Sequence, residues 1–242
     1  MIRVARYIYN KPEPKYDNYE PIAVISMSNT KWRLLSPFFL KDGKGRLFEN
    51  IYQFQKCYPS IPKVQIKNSA NEIIFDHPAE VHFINDVVQP EYYNWRTKGE
   101  NCQYPIRFPV GKHNSHKCLF SIPSGPNDNI NPLIRLDYVE SRKKIYVKKY
   151  SALVKQTKDF LELKQMLSEG KNILIIDVDG PHQESLLYYK NKYNINDDFI
   201  TNDSIEINEN SINILLNDTK HPFGHGYVLA MSLLDKEIEW CK

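Results

Sequence analysis

Three clusters of residues in the 242-residue chain have the types and spacing that chemistry requires. The first is Glu49-Asn50-Ile51-Tyr52-Gln53-Phe54-Gln55-Lys56. A carboxylate here can stabilise a sugar cation or orient water, since both tasks need a negative charge held rigidly beside an anomeric carbon. It can equally be a good helix starter, because the dipole favours acidic residues in a first turn. The second is Asp177-Val178-Asp179-Gly180-Pro181, which follows an apolar run. Ligands gather at the carboxyl ends of parallel strands, so these acids suit a site; Asp-Gly-Pro is also simply a turn. The third is His221-Pro222-Phe223-Gly224-His225-Gly226 before an apolar C-terminal segment. Glycines at a helix start let backbone N–H groups approach an anion, or they serve a tight loop and close packing.

A fourth stretch, His113-Asn114-Ser115-His116-Lys117-Cys118, supplies two histidines and a thiol but no evident fourth zinc ligand. Its neighbours Arg96, Arg107, Lys112 and Lys117, interleaved with Tyr92, Tyr93, Trp95 and Phe108, suggest a cationic, aromatic surface able to hold phosphate and stack a base. The same mixture also describes a solvated insertion. No GxSxG occurs, and no cysteine pairs with a histidine at a recognisable spacing.

Positioning these clusters requires elements of both kinds. Arg3–Tyr9 and Ile22–Ser26 read as strands, and Phe48–Tyr58 reads as a helix stopped by Pro59. Residues 60 to 135 read as short strands and ordered loops, with Ser124–Asn131 an exposed loop. Ile134–Val139 reads as a strand, followed by one long helix carrying Tyr150 through Leu167 and ended by Gly170. Asn172–Val178 reads as a buried strand, His182–Tyr193 as a helix, Asp203–Leu216 as a strand and short helix, and Gly226–Leu234 as the last helix. The expected class is α+β: one domain over residues 1–242, a small mixed sheet surrounded by helices, and an irregular aromatic and basic insertion at 60–135.

Composition narrows the function classes. A net charge of +3 is too small by itself to indicate nucleic acid. Cys57, Cys102, Cys118 and Cys241 form no CxxC, so a disulfide framework is not expected. The N-terminus lacks an apolar signal core, and the absence of a bilayer-length apolar run predicts a cytoplasmic protein without membrane contact. The bias toward Asn, Ile, Lys and Tyr is typical of an AT-rich genome, such as that of a large DNA virus or of certain protists and bacteria; a viral source would make the location the host cytoplasm.

The order of the motifs resembles the NADAR family of nucleotide-processing N-glycosidases. Leu35-Ser36-Pro37-Phe38-Phe39, Gly43-Lys44-Gly45 and Glu49 to Lys56 follow the family's opening order, and residues 161–179 and 223–231 resemble its later segments. Asn50 stands where the family has histidine, Phe223 where it has tryptophan, and Tyr227 to Ala230 replace its Asn-x-Leu-Gly. The resemblance implies cleavage of an N-glycosidic bond in a ribosyl or ADP-ribosyl nucleotide-type substrate, without metal or cofactor. It assigns catalysis to Glu49 with Asp177 or Asp179. It assigns substrate binding to Ser36, Asn50, Gln53, Gly224, His225 and Gly226, to which the cationic patch adds Arg107. The alternatives are an inactive module that binds nucleotide, or nucleic acid through Arg96, Arg107, Lys112 and Lys117, and a virion or interaction protein.

Overall fold

A computed structural model describes residues 1–26, 30–68, 70–123 and 134–241. The expected loop over Ser124–Asn131 lies outside the described residues. The chain is α+β, and its contacts cluster into two units: Met1–Phe39 with Val147–Lys242, and Leu40–Tyr146.

The first unit is built on a four-stranded mixed sheet ordered Ser204–Glu206, Ile2–Arg6, Asn172–Asp177, Tyr19–Ala23. Asn172–Asp177 runs parallel to both neighbours, pairing Ile175 with Val4 on one side and Ile22 on the other. Only Ser204–Glu206 is antiparallel. The strand Ile173–Asp177 is buried at every residue, as an inner parallel strand covered on both faces must be. One face gathers Ala5, Ala23, Leu174 and Ile176. The helix His225–Leu233 packs on strands Ile2–Arg6 and Asn172–Asp177 and is buried at every position. A helix apolar all round belongs inside, which is why this one carries no amphipathic stripe.

The single long helix expected to carry Tyr150 through Leu167 is instead broken after Val154: the π-helical turn Arg142–Val147 runs into Lys148–Val154 before the break, and a second helix, Lys158–Ser168, follows it. Thr157 restarts the second by accepting the Phe160 N–H at 3.1 Å on its hydroxyl, an N-cap that ends the continuous periodicity. Gly170 then closes it with φ of 83°.

The second unit holds short hairpins and the helix Pro90–Glu100, which periodicity over this stretch does not reveal. Proline at its start and Glu91 in its first turn mark the N-terminus, while Tyr92 and Trp95 enter a core with Phe54, Tyr58, Phe75 and Ile106. The helix expected over Phe48–Tyr58 stops at Gln53, because Lys56–Cys57 pairs as a strand with Phe120–Ser121. The strand expected at Ile134–Val139 is reduced to one bridge, Leu136 with Ser121. Asp137 caps a helix there instead, its carboxylate accepting the Glu140 N–H at 2.8 Å.

Candidate functional site

Asp177 ends the central parallel strand, and the chain turns immediately: Gly180 N–H donates to the Asp177 carbonyl at 3.2 Å. The strand does not extend through Asp179, so pleat alternation does not decide where that side chain goes. The turn brings both acids to the start of the terminal helix. A Cβ on Gly224 would lie 2.5 Å from Asp177 Oδ2 and 2.7 Å from the Asp179 Cβ. One on Gly226 would lie 2.9 Å from the Asp177 Cβ. Both glycines are therefore required by the close approach of the acidic turn.

An anion does occupy this helix N-terminus, and it is the protein's own. Gly226 N–H donates to Asp177 Oδ2 at 2.8 Å, and His225 Nδ1 stands 3.3 Å from the same oxygen. His225 Nε2 reaches the Val24 carbonyl at 2.6 Å. Asp177 is 2% exposed and His225 3%, so the group ties two parallel strand ends to the helix inside the unit. A carboxylate facing backbone N–H groups at a helix start is favourably placed, and here it holds the fold. Asp179 is half-buried at its edge. Ser36, in the same unit, is fully buried and accepts the Phe38 N–H on its hydroxyl at 3.3 Å.

The remaining expected site residues belong to the second unit. Glu49 sits in the first turn of Phe48–Gln53 and is 5% exposed. Its Oε1 accepts from Gln53 Nε2 at 2.9 Å, and Gln53 Oε1 accepts from Lys56 Nζ at 2.7 Å. Helical spacing of four residues makes the first contact possible. Burial pulls the Lys56 ammonium below its ordinary range; the fields of Cys118 and Glu49 oppose that, and Arg107 adds to it. Glu49, Gln53 and the exposed Arg107 are thus brought together around Lys56, a residue the sequence marks only as the end of the motif.

Asn50 has a different occupation from the substrate contact expected of it. Its amide donates to the Cys102 and Tyr104 carbonyls at 2.8 and 2.9 Å and accepts the Ile106 N–H at 2.8 Å. Those bonds fasten segment 102–106 to the helix.

The cationic surface also needs correction. Arg96 is 4% exposed, donating from Nε to Glu100 at 2.9 Å and from Nη1 to the Ile122 carbonyl at 3.3 Å. Tyr92 and Trp95 are core residues with no exposure. On one helix, the aromatic face turns inward and carries the Arg96–Glu100 pair with it. Arg107, Lys112 and Lys117 are exposed, as are His113 and His116. No group of three or more His, Cys, Asp or Glu side chains suited to a metal occurs among the described residues. No helix among them is long and apolar enough to cross a membrane.

Ser185, Tyr188, Tyr189 and Lys192, which lie outside the clusters singled out in the sequence, converge with Asp218 and His221 in the first unit. A signal for them exists. Ser185, Tyr188, Tyr189 and Lys192 follow i, i+3, i+4, i+7 spacing, which puts them on one helix face, and Asp218 precedes His221 by three residues. Comparison with family models, characterised proteins and solved structures finds no match for the chain.

Proposed function

We propose that the protein is an N-glycosidase-like hydrolase acting on a ribosyl or ADP-ribosyl N-glycosidic bond in a nucleotide-type substrate. The observation that carries this reading is the buried Glu49 carboxylate, held by Gln53 and Lys56 beside the exposed Arg107. Breaking a C–N glycosidic bond leaves positive charge on the sugar, and a fixed carboxylate lowers the energy of that cation. Water then adds to the anomeric carbon and the base departs with a proton. Lys56 and Arg107 supply positive charge suited to a substrate phosphate. The motif order from Leu35 to Lys56 supports the same assignment. In this reading Asp177, His225 and the glycine turn frame their own unit.

Purified protein incubated with NAD, ADP-ribosylated nucleosides and riboflavin-pathway intermediates is expected to release free base, detected by mass spectrometry. Absence of base release from every one of these substrates sinks the proposal.

A second reading rests on Arg107, whose guanidinium lies 5.5 Å from the Phe108 ring, with Lys112 and Lys117 exposed nearby in sequence. It makes the chain a binding module for nucleotide or single-stranded nucleic acid. Binding that weakens steeply with added salt, without consumption of the ligand, distinguishes it from the enzyme.

A further inference from the structure

The first unit contains a second constellation with the geometry of nucleophilic catalysis. Ser185 stands at the N-cap position of the helix Leu186–Tyr193 without a side-chain capping bond, and its Oγ lies 3.0 Å from His221 Nε2. His221 Nδ1 lies 2.6 Å from Asp218 Oδ2. Asp218 is 1% exposed, whereas Ser185 and His221 are partly open to solvent. We propose that Ser185, His221 and Asp218 form a hydrolytic triad for acyl esters, separate from the Glu49 cluster, with Ser185 as the nucleophile.

The hydrogen bonds assign the roles. Asp218 can only accept from the ring, so it holds the proton on Nδ1 and leaves Nε2 facing the serine hydroxyl. Tyr188 donates to Asp218 Oδ1 at 2.7 Å and Tyr189 to Oδ2 at 2.9 Å, while Lys220 N–H reaches Oδ1 at 3.1 Å. Those donors lock the carboxylate, which makes Asp218 the positioning residue of the three. The rings of Tyr188 and Tyr189 flank the imidazole, with centroids 5.0 and 5.1 Å away. One helix therefore supplies the nucleophile and both tyrosines, and the segment after Glu209–Asn217 supplies acid and base.

Attack by Ser185 Oγ on an ester carbonyl forms the C–O bond as His221 Nε2 takes the hydroxyl proton. His221 returns that proton to the departing alkoxide as its C–O bond breaks, leaving acyl-Ser185. Water repeats the sequence and releases the carboxylic acid, so atoms and protons balance without a co-reactant. Lys192 Nζ lies 3.8 Å from Asp218 Oδ1, and Lys220 Nζ lies 4.3 Å from the Tyr188 ring centre. Both cations favour an ester whose remaining portion is anionic.

A fluorophosphonate probe tests the nucleophile, because Ser185 Oγ would displace fluoride and leave a stable phosphonyl mass on its peptide. The expected result is labelling at Ser185 that disappears in Ser185→Ala and persists in Ser168→Ala, a control at an exposed helical serine. Hydrolysis of p-nitrophenyl esters is expected to fall by about 10³-fold or more in kcat/KM for both Ser185→Ala and His221→Gln. Circular dichroism establishes that Ser185→Ala is folded, so the result stands even if His221→Gln is not. No label at Ser185 in the folded wild-type protein, or ester cleavage unchanged in Ser185→Ala, overturns the triad. Neither readout depends on base release, so the outcome is independent of the Glu49 proposal.

Discussion

Glu49 and Asp218 are both buried carboxylates, and their partners give them different standing. Glu49 accepts from the Gln53 amide, which is itself held by Lys56. Replacing it with glutamine keeps an acceptor of the same shape and removes the charge. Glu49→Gln is expected to lower base release by about 10²-fold or more with little change in melting temperature, measured side by side. For Asp218, burial pushes the carboxyl up, but hydrogen bonds from Tyr188, His221, the Lys220 backbone and Tyr189 outweigh it and hold it at about 2. Folding thus lowers this group from 3.8, and its contribution is complete above that value and lost as pH falls through about 2. The size is roughly 2 kcal/mol. Asp218→Asn is expected to lose about that much stability at neutral pH in urea titrations, and to lose less relative to wild type at pH 2.

At the scale of elements, the junction between the central strand and the terminal helix is the most tightly built. Gly224→Ala would drive a methyl into the Asp177 carboxylate, whose Oδ2 is only 2.5 Å from the new atom. Overpacking of this kind costs about 1–3 kcal/mol. The expected result is a clear fall in melting temperature for Gly224→Ala; an unchanged value would mean the turn is not held by Asp177. The helix starting at Lys158 depends on a separate local signal, the Thr157 cap. Thr157→Ala is expected to cost about 1 kcal/mol in equilibrium denaturation.

For the whole molecule, the two units carry acid-sensitive groups in different pH ranges. His82, fully buried in the second unit, stands with its ring centre 5.1 Å from that of Trp95 and its Nε2 3.5 Å from Glu80. Burial, with a smaller effect from His77, lowers its imidazolium to about 4 from 6.5. The second unit therefore has its full stability above 6.5 and loses about 3 kcal/mol as pH falls through 4, because the unfolded chain binds the proton first. Trp95 reports this unit, while Trp32 and Trp240 belong to the other. Urea titrations followed by fluorescence are expected to show that destabilisation between pH 6.5 and 4, with His82→Leu flattening it. The loss governed by Asp218 comes lower, between 3.8 and 2.

Local patterns alone made the α+β class, the buried strand at Asn172, the helix beginning at Phe48 and the apolar terminal helix legible, because each is written within one or two turns or one pleat. Caps at Asp137 and Thr157 were equally present but were outweighed by the apolar runs around them. Tertiary structure alone decided which polar groups meet. It gave the Gly226 N–H to Asp177, turned Arg96 into a core, and brought Ser185 to His221 across 36 residues. Periodicity reports which face of an element is buried. Which distant side chain lies against that face depends on the path of the chain between them, and no local spacing records it.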